Sequence, residues 1–191
     1  MKSAWRSRGY LPHWDAGEVP QSFTFRLADS LPKVVLDQWR EELARLSEEA
    51  ATLDRRIRIE HALDRGHGEA LLSDDRIAEL VEQALLHFDG ERYRLLSWTI
   101  MPNHVHAVAS PLSTWTLDKI VHSWKSFTAT KANALLGRTG AFWAREYFDR
   151  AIRDDEHYAN VMSYVAMNPV KAGLCSREED WRYSSAWSGR R

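Results

Sequence analysis

A single cysteine, Cys175, stands in 191 residues, which excludes an intrachain disulfide framework and any zinc ribbon built on thiolates. Any metal would have to be held by His, carboxylate or amide. Long apolar runs are also lacking: nothing approaches the roughly 18 residues of a membrane span, and the start of the chain reaches Arg6, Arg8 and Gly9 without an apolar core. Neither a membrane partner nor a secretory leader is expected, and the cytoplasm is the expected compartment. Nine Gly and six Pro are too few for a collagen-like or low-complexity chain, while 44% hydrophobic and 28% charged residues describe a globular one. Charge of one sign is missing too. With a net charge of −1, a nucleic-acid partner has to be argued from where the charges sit.

The length points to one domain over 1–191. Its first part, residues 1–18, reads as a basic, irregular arm with Lys2, Arg6 and Arg8 and no acid before Asp15. Gln21 to Leu27 alternates polar and apolar, with Phe23, Phe25 and Leu27 on one face, the period of a first strand. Ser30 is placed to cap a helix, and Pro32 suits its first turn. Leu36, Trp39, Leu43, Leu46, Ala50 and Leu53 then recur at spacings of three and four, which predicts one long amphipathic helix. Its charged positions read as a solvated face with pairs such as Glu41 and Arg45, or as the flank of a coiled-coil dimer seam, so monomer and homodimer both stay open. Gly66 and Gly68 break the helix, and Asp74 starts another through Ile77, Leu80, Val81, Ala84 and Leu85, which makes 31–88 a helical insertion. Seven acidic residues and one basic one lie between Glu69 and Glu91, a stretch expected to avoid nucleic acid.

Tyr93 to Ile100 and His104 to Ala109 are dense in strand formers around the turn residues Met101, Pro102 and Asn103, which predicts a hairpin of two central strands. Thr116 is placed to cap a helix carrying Leu117, Ile120, Val121, Trp124 and Phe127, ended by Gly137 and Gly140. Phe142 to Phe148 is a short aromatic stretch. Asp154, Asp155 and Glu156 suit the start of a last helix, expected to end near Asn168 because the residue before Pro169 is biased away from α. The fold class is α+β.

His104 and His106 are two apart on a predicted strand and so point to one face, where their imidazoles can converge on a divalent ion. The pair also reads as two polar residues on the wet face of a strand. Tyr164 and Asn168, four apart on the last helix, share a face and offer a phenol and an amide oxygen. If that face lies across from the histidines, the result is a His-His-Asn site beside a phenol, which suits phosphoryl transfer: the ion neutralises phosphate oxygens and the tyrosine attacks phosphorus. Tyr164 reads equally as a packed aromatic with a bonded hydroxyl.

A basic surface is available between Thr116 and Arg153, where Lys119, Lys125, Lys131, Arg138, Arg145, Arg150 and Arg153 face only Asp118, Glu146 and Asp149. Interleaved aromatics could stack unpaired bases, Trp143 in particular, although several must be core. With Arg6 and Arg8 of the arm, Lys125, Lys131, Trp143, Arg145, Arg150 and Arg153 form the candidate DNA surface.

These residues resemble a known family, the single-tyrosine HUH transposases, and within it the REP-associated tyrosine transposases of the transposase IS200-like group. The resemblance rests on Arg8-Gly9-Tyr10-Leu11-Pro12-His13, Phe23-Thr24-Phe25-Arg26-Leu27, Met101-Pro102-Asn103-His104-Val105-His106, Lys125-Ser126-Phe127 and Phe142-Trp143. It continues through Tyr147-Phe148-Asp149, Ile152-Arg153-Asp154 and Tyr164-Val165-Ala166-Met167-Asn168-Pro169-Val170-Lys171-Ala172-Gly173-Leu174 to Trp181 and Ser184-Ser185. It implies a ferredoxin-like antiparallel sheet with helices packed on it, to which this chain adds the helical insertion after the first strand. It implies His104 and His106 as ligands of Mg or Mn, Tyr164 as nucleophile, and Asn168 in the place of a third ligand that is Gln in simpler relatives. The implied activity is cleavage and rejoining of single-stranded DNA beside a hairpin, such as a repetitive extragenic palindrome, through a 5′-phosphotyrosine. The alternatives are a non-catalytic hairpin-DNA-binding regulator on the same scaffold, or a hydrolase that uses a metal-bound water.

Overall fold

The computed structural model describes residues 4–7, 12–15, 18–112 and 114–190. Strands β1 (Ala4–Ser7) and β2 (Pro12–Asp15) pair antiparallel, Ala4 opposite Asp15 and Ser7 opposite Pro12. The arm is therefore not irregular at these positions: its backbone pairs in a two-stranded ladder. Arg6 lies on β1, and Arg8 lies outside the described residues.

Strand β3 (Gln21–Leu27) forms where a strand was expected, though third in the chain and not first, and Phe23, Phe25 and Leu27 are almost fully buried on one face. Ser30 does not cap a helix. Its hydroxyl donates to the Leu27 carbonyl and accepts from Arg26, closing the turn that ends the strand. The long helix of the sequence pattern is two: α1 (Lys33–Leu43) and α2 (Glu48–Asp64), with Ser47 accepting from the Ala50 N–H to cap the second. Periodicity alone cannot detect such a break, because a serine that caps well is also tolerated within a helix. Helix α3 (Asp75–Leu86) starts at Asp74, as the sequence indicates.

Strands β4 (Tyr93–Ile100) and β5 (His104–Pro111) form the expected hairpin, and α4 (Leu117–Leu135), β6 (Trp143–Ala151) and α5 (Asp155–Lys171) come after it in the chain. Thr116 precedes α4 but makes no capping bond, its hydroxyl being turned to Asp118. The aromatic stretch after Phe142 is strand β6, half-exposed along most of its length and so without the alternation that marks a strand. The sheet order is β4-β5-β3-β6, all neighbours antiparallel. This is the ferredoxin-like arrangement, and it places β5 centrally but β4 at an edge, where residues Tyr183 to Ser185 bond to part of it.

The two faces of the sheet are covered differently. On one face Phe23, Phe25, Val105, Ala107 and Ala109 pack against Ile77, Val81 and Leu85 of α3 and Ile120, Val121 and Trp124 of α4. Each large aliphatic or phenyl side chain so buried contributes about 1.5–3 kcal/mol. On the other face α5 packs through Val165 and Val161 over Val108, and α2 brings Ile59, Ala62 and Leu63 against Leu31, Trp39 and Phe148. His104 and His106 lie on this second face, opposite Arg26 and Thr24 of β3.

Helix α5 does not end at Asn168. Pro169 lies inside it, and the helix runs to Lys171. Proline removes the N–H that would bond to the carbonyl four residues back, that of Val165. The hydroxyl of Thr99 supplies the missing donor at 2.8 Å. Among the described residues no helix is long and apolar enough to cross a membrane.

Candidate active site

Asn103 sits in the turn before β5, and its Nδ2 donates to the carbonyls of Leu63 (3.2 Å) and His67 (3.0 Å). With the amide nitrogen so committed, Oδ1 faces His104 Nδ1 at 2.7 Å, and His104 must donate there. Its Nε2 therefore carries the lone pair. Burial, with the nearby His106 second, holds the His104 pKa well below the usual imidazole value, so the ring is neutral and ready to ligate. The segment that holds Asn103 has its own constraint. Gly68 has φ +92°, and a Cβ there would come within 2.9 Å of the Asp29 backbone oxygen, while the next N–H donates to Asp29 Oδ2.

His106 Nε2 lies 2.9 Å from His104 Nε2, with the rings nearly perpendicular, and its Nδ1 lies 2.8 Å from Thr24 Oγ1. A threonine hydroxyl both donates and accepts, so it can hold either tautomer of His106 without the ring turning. Two nitrogens each about 2.0–2.1 Å from one ion are roughly 3 Å apart at a right angle. The imidazole pair thus has the spacing of two ligands of one cation, and each distal nitrogen has the polar partner that ligating histidines require.

Tyr164 completes the face from α5. Its ring centroid is 5.4 Å from that of His106, edge to face, and Lys171 Nζ lies 4.8 Å from the phenol ring centroid. Both rings line an open cleft of about 350 Å³ with Ser22, Thr24, Glu60, Arg150, His157 and Asn160. Asn168 is 1% exposed, and its Nδ2 donates to the Tyr164 carbonyl at 2.8 Å. No hydrogen bond joins it to either imidazole, and its Oδ1 accepts none among the described residues. Such an amide oxygen is a donor that a hard divalent ion accepts. Among the described residues no group of three or more His, Cys, Asp or Glu side chains is placed to hold a metal. Of the sequence-predicted donors, the two imidazoles have the spacing of ligands and Tyr164 lies against His106, while the Asn168 amide nitrogen is bonded to the Tyr164 carbonyl.

The candidate DNA residues separate. Arg150 lines the cleft, and Arg145 and Arg153 are exposed on and just beyond the same strand. Lys131 is exposed on α4, the helix that covers the opposite face of the sheet. Trp143 is not a stacking platform: it is 6% exposed, packs edge-on against Phe25 at 4.8 Å, and its indole N–H donates to Thr128. Lys125 is used inside the fold. The β3–β6 register shifts between Phe25 and Leu27, and Lys125 Nζ donates to the carbonyls of Ala144 and Arg145 in that irregularity, at 2.8 and 2.9 Å. Burial lowers its pKa to about 8.

Sequence reading missed Thr24 and Asn103 because their partnership with the histidines depends on strand register and on a loop from α2. It missed His157 and Asn160 although a signal existed: His157, Asn160, Tyr164 and Asn168 fall at helical spacing along α5. Glu60 reaches the cleft from α2, outside the acidic stretch expected to avoid DNA.

The family described as Transposase IS200 like matches residues 69–168, a span that holds both histidines, Tyr164 and Asn168. A REP-associated tyrosine transposase of Escherichia coli (strain K12) is 23% identical over 112 residues, 56% of this chain and 63% of that protein. A candidate REP-associated tyrosine transposase of Haemophilus influenzae (strain Rd) is 42% identical over 48 residues, 25% of this chain and 27% of the relative. The chain thus spans less than two thirds of the length of either. A solved structure of a REP-associated tyrosine transposase bound to a REP hairpin superposes with a TM-score of 0.56 at 15% identity, covering 91% of this chain and 79% of that one. At that identity the likeness is one of fold.

Proposed function

We propose, for a chain that belongs to the transposase IS200-like family, that it cleaves and rejoins single-stranded DNA beside a REP-type hairpin, in the cytoplasm, with Tyr164 as nucleophile. The observation that carries this reading is the meeting of two Nε2 atoms at 2.9 Å with a phenol ring 5.4 Å from the His106 imidazole, His106 and Tyr164 both lining an open cleft.

In this reading the Tyr164 phenolate oxygen attacks the phosphorus of one phosphodiester, the bond to the 3′ oxygen breaks, and that oxygen leaves as a hydroxyl after taking up a proton. The 5′ phosphate stays on Tyr164, and the stored ester permits rejoining without ATP. A phenol has a pKa near 10 when unperturbed, so its ionisation needs positive charge close by, and Lys171 over the ring is one source. His104 and His106 would hold a Mg or Mn ion through Nε2, with Asn168 Oδ1 as a third donor. When bound, the ion neutralises non-bridging oxygens of the phosphate. Asn103 and Thr24 keep both imidazoles aimed.

The test is incubation of the protein with labelled single strands carrying a hairpin, with Mn²⁺ or Mg²⁺, and then denaturing electrophoresis. A covalent protein–DNA adduct that Tyr164→Phe abolishes is the expected result. Hairpin binding without any adduct would replace the nuclease reading by that of a DNA-binding regulator.

A further inference from the structure

The cleft is longer than the reacting group needs, and its far end has a composition of its own. Along β3 the residues on the imidazole face are Ser22 and Thr24, each paired across β6: Thr24 with Phe148, Ser22 with Arg150. Thr24 is also opposite His106, and Ser22 opposite Val108. The Ser22–Arg150 row therefore lies one strand repeat, roughly 6.6 Å, from the row that holds His106. Helix α5 runs in step above it. Asn160 and His157 precede Tyr164 by four and seven residues, roughly 6 and 10 Å along the axis. Rows and turns advance together away from the phenol, so the groove continues for the length of a further nucleotide.

That end presents donors. They do not include His157, whose Nδ1 accepts the Arg153 N–H and whose Nε2 is buried. Its backbone is fixed by the Asp154 carboxylate that caps the helix. Arg150 and Asn160 are exposed, and Ser22 is half-buried. Asp149, next to Arg150, points to the opposite face by strand alternation. The carboxylate in the lining, Glu60, comes from α2. The guanidinium of Arg150 and the amide of Asn160, on facing elements along one stretch of groove, suit an anionic oxygen pair.

We propose that Arg150 and Asn160 form a subsite for the phosphate next to the one that Tyr164 attacks. The subsite holds the backbone beside the reacting phosphate and, with the hairpin as anchor, limits how far the strand slides past the phenol. This deepens the proposed strand-cleaving function and rests on it. Both act as positioning residues.

The test uses the full chain and hairpin-bearing single strands in which one phosphate at a time is replaced by a neutral methylphosphonate. Binding is read by fluorescence anisotropy in Mn²⁺, and the position of adduct formation by sequencing gel. In wild type, one phosphate adjacent to the cleaved one should carry a roughly ten- to hundredfold binding penalty when neutralised, the scale of a charged hydrogen bond. In Arg150→Gln and in Asn160→Ala, both at exposed positions, that penalty should shrink and cleavage should spread to neighbouring phosphates, while Arg150→Lys should retain most of it. A penalty that persists undiminished in the variants, or the absence of any penalty or of single-strand binding in wild type, overturns the subsite. Failure to form any adduct with the binding pattern intact overturns the nucleophile instead.

Discussion

Thr99 donates its hydroxyl to the carbonyl oxygen of Val165 at 2.8 Å, the oxygen that Pro169 leaves without its helical partner. One bond thus joins an edge strand to the helix that carries the phenol. Thr99 stands directly opposite His106 in the ladder, and Val165 is the residue after Tyr164. The proline that would ordinarily end a helix instead opens a docking point that fixes how far along the sheet Tyr164 sits.

Thr99→Val should leave the Val165 carbonyl buried and unsatisfied, at a cost of about 1–3 kcal/mol. In a Pro169→Ala background the backbone N–H returns, and the same substitution should cost measurably less. Urea unfolding of the two single variants and the double variant checks this. Additive losses would mean the bond does not compensate for the proline.

Asn103→Ala and Thr24→Val should each weaken Mn²⁺ binding by roughly ten- to a hundredfold, the usual effect of removing the partner that orients a ligating imidazole. Isothermal titration calorimetry reads it directly. Asn103→Ala should also lower stability, because the carbonyls of Leu63 and His67 lose a donor.

Lys125 has a pKa lowered to about 8 by burial. In the unfolded chain it regains the ordinary lysine value, so between the two the unfolded state binds more protons, and the folded state gains stability as pH rises through that window. The neutral amine still donates two hydrogens to Ala144 and Arg145. Stability measured as wild type minus Lys125→Met should therefore increase from pH 8 towards pH 10. A flat difference would mean that Lys125 is solvated.

Trp143→Phe should cost about 1–2 kcal/mol through loss of the bond to Thr128 and of packing against Phe25. It should leave the affinity for single-stranded DNA as it was. A loss of affinity without a loss of stability would return Trp143 to the DNA surface.

The site was legible in the sequence to different depths at different residues. His104 and His106 needed only the two-residue repeat of a strand, and Tyr164 and Asn168 only the helical repeat, so each pair could be placed on one face without knowing the fold. Helix α3 was legible because Asp74 and the apolar stripe agreed. Strand β6 was not, since its half-exposed residues show neither period, and Pro169 misled because a local rule for helix ends was outweighed by a distant hydroxyl.

Local period and side-chain chemistry were enough to give the α+β class, the two faces that carry imidazoles and phenol, and the residue types available for phosphoryl chemistry. What local pattern could not give is that Tyr164 lies against His106, that Lys125 and Trp143 serve the fold, and that Thr24 and Asn103 bond to the imidazoles. Those assignments depend on contacts between segments distant in the chain, through strand register, and no local pattern encodes them.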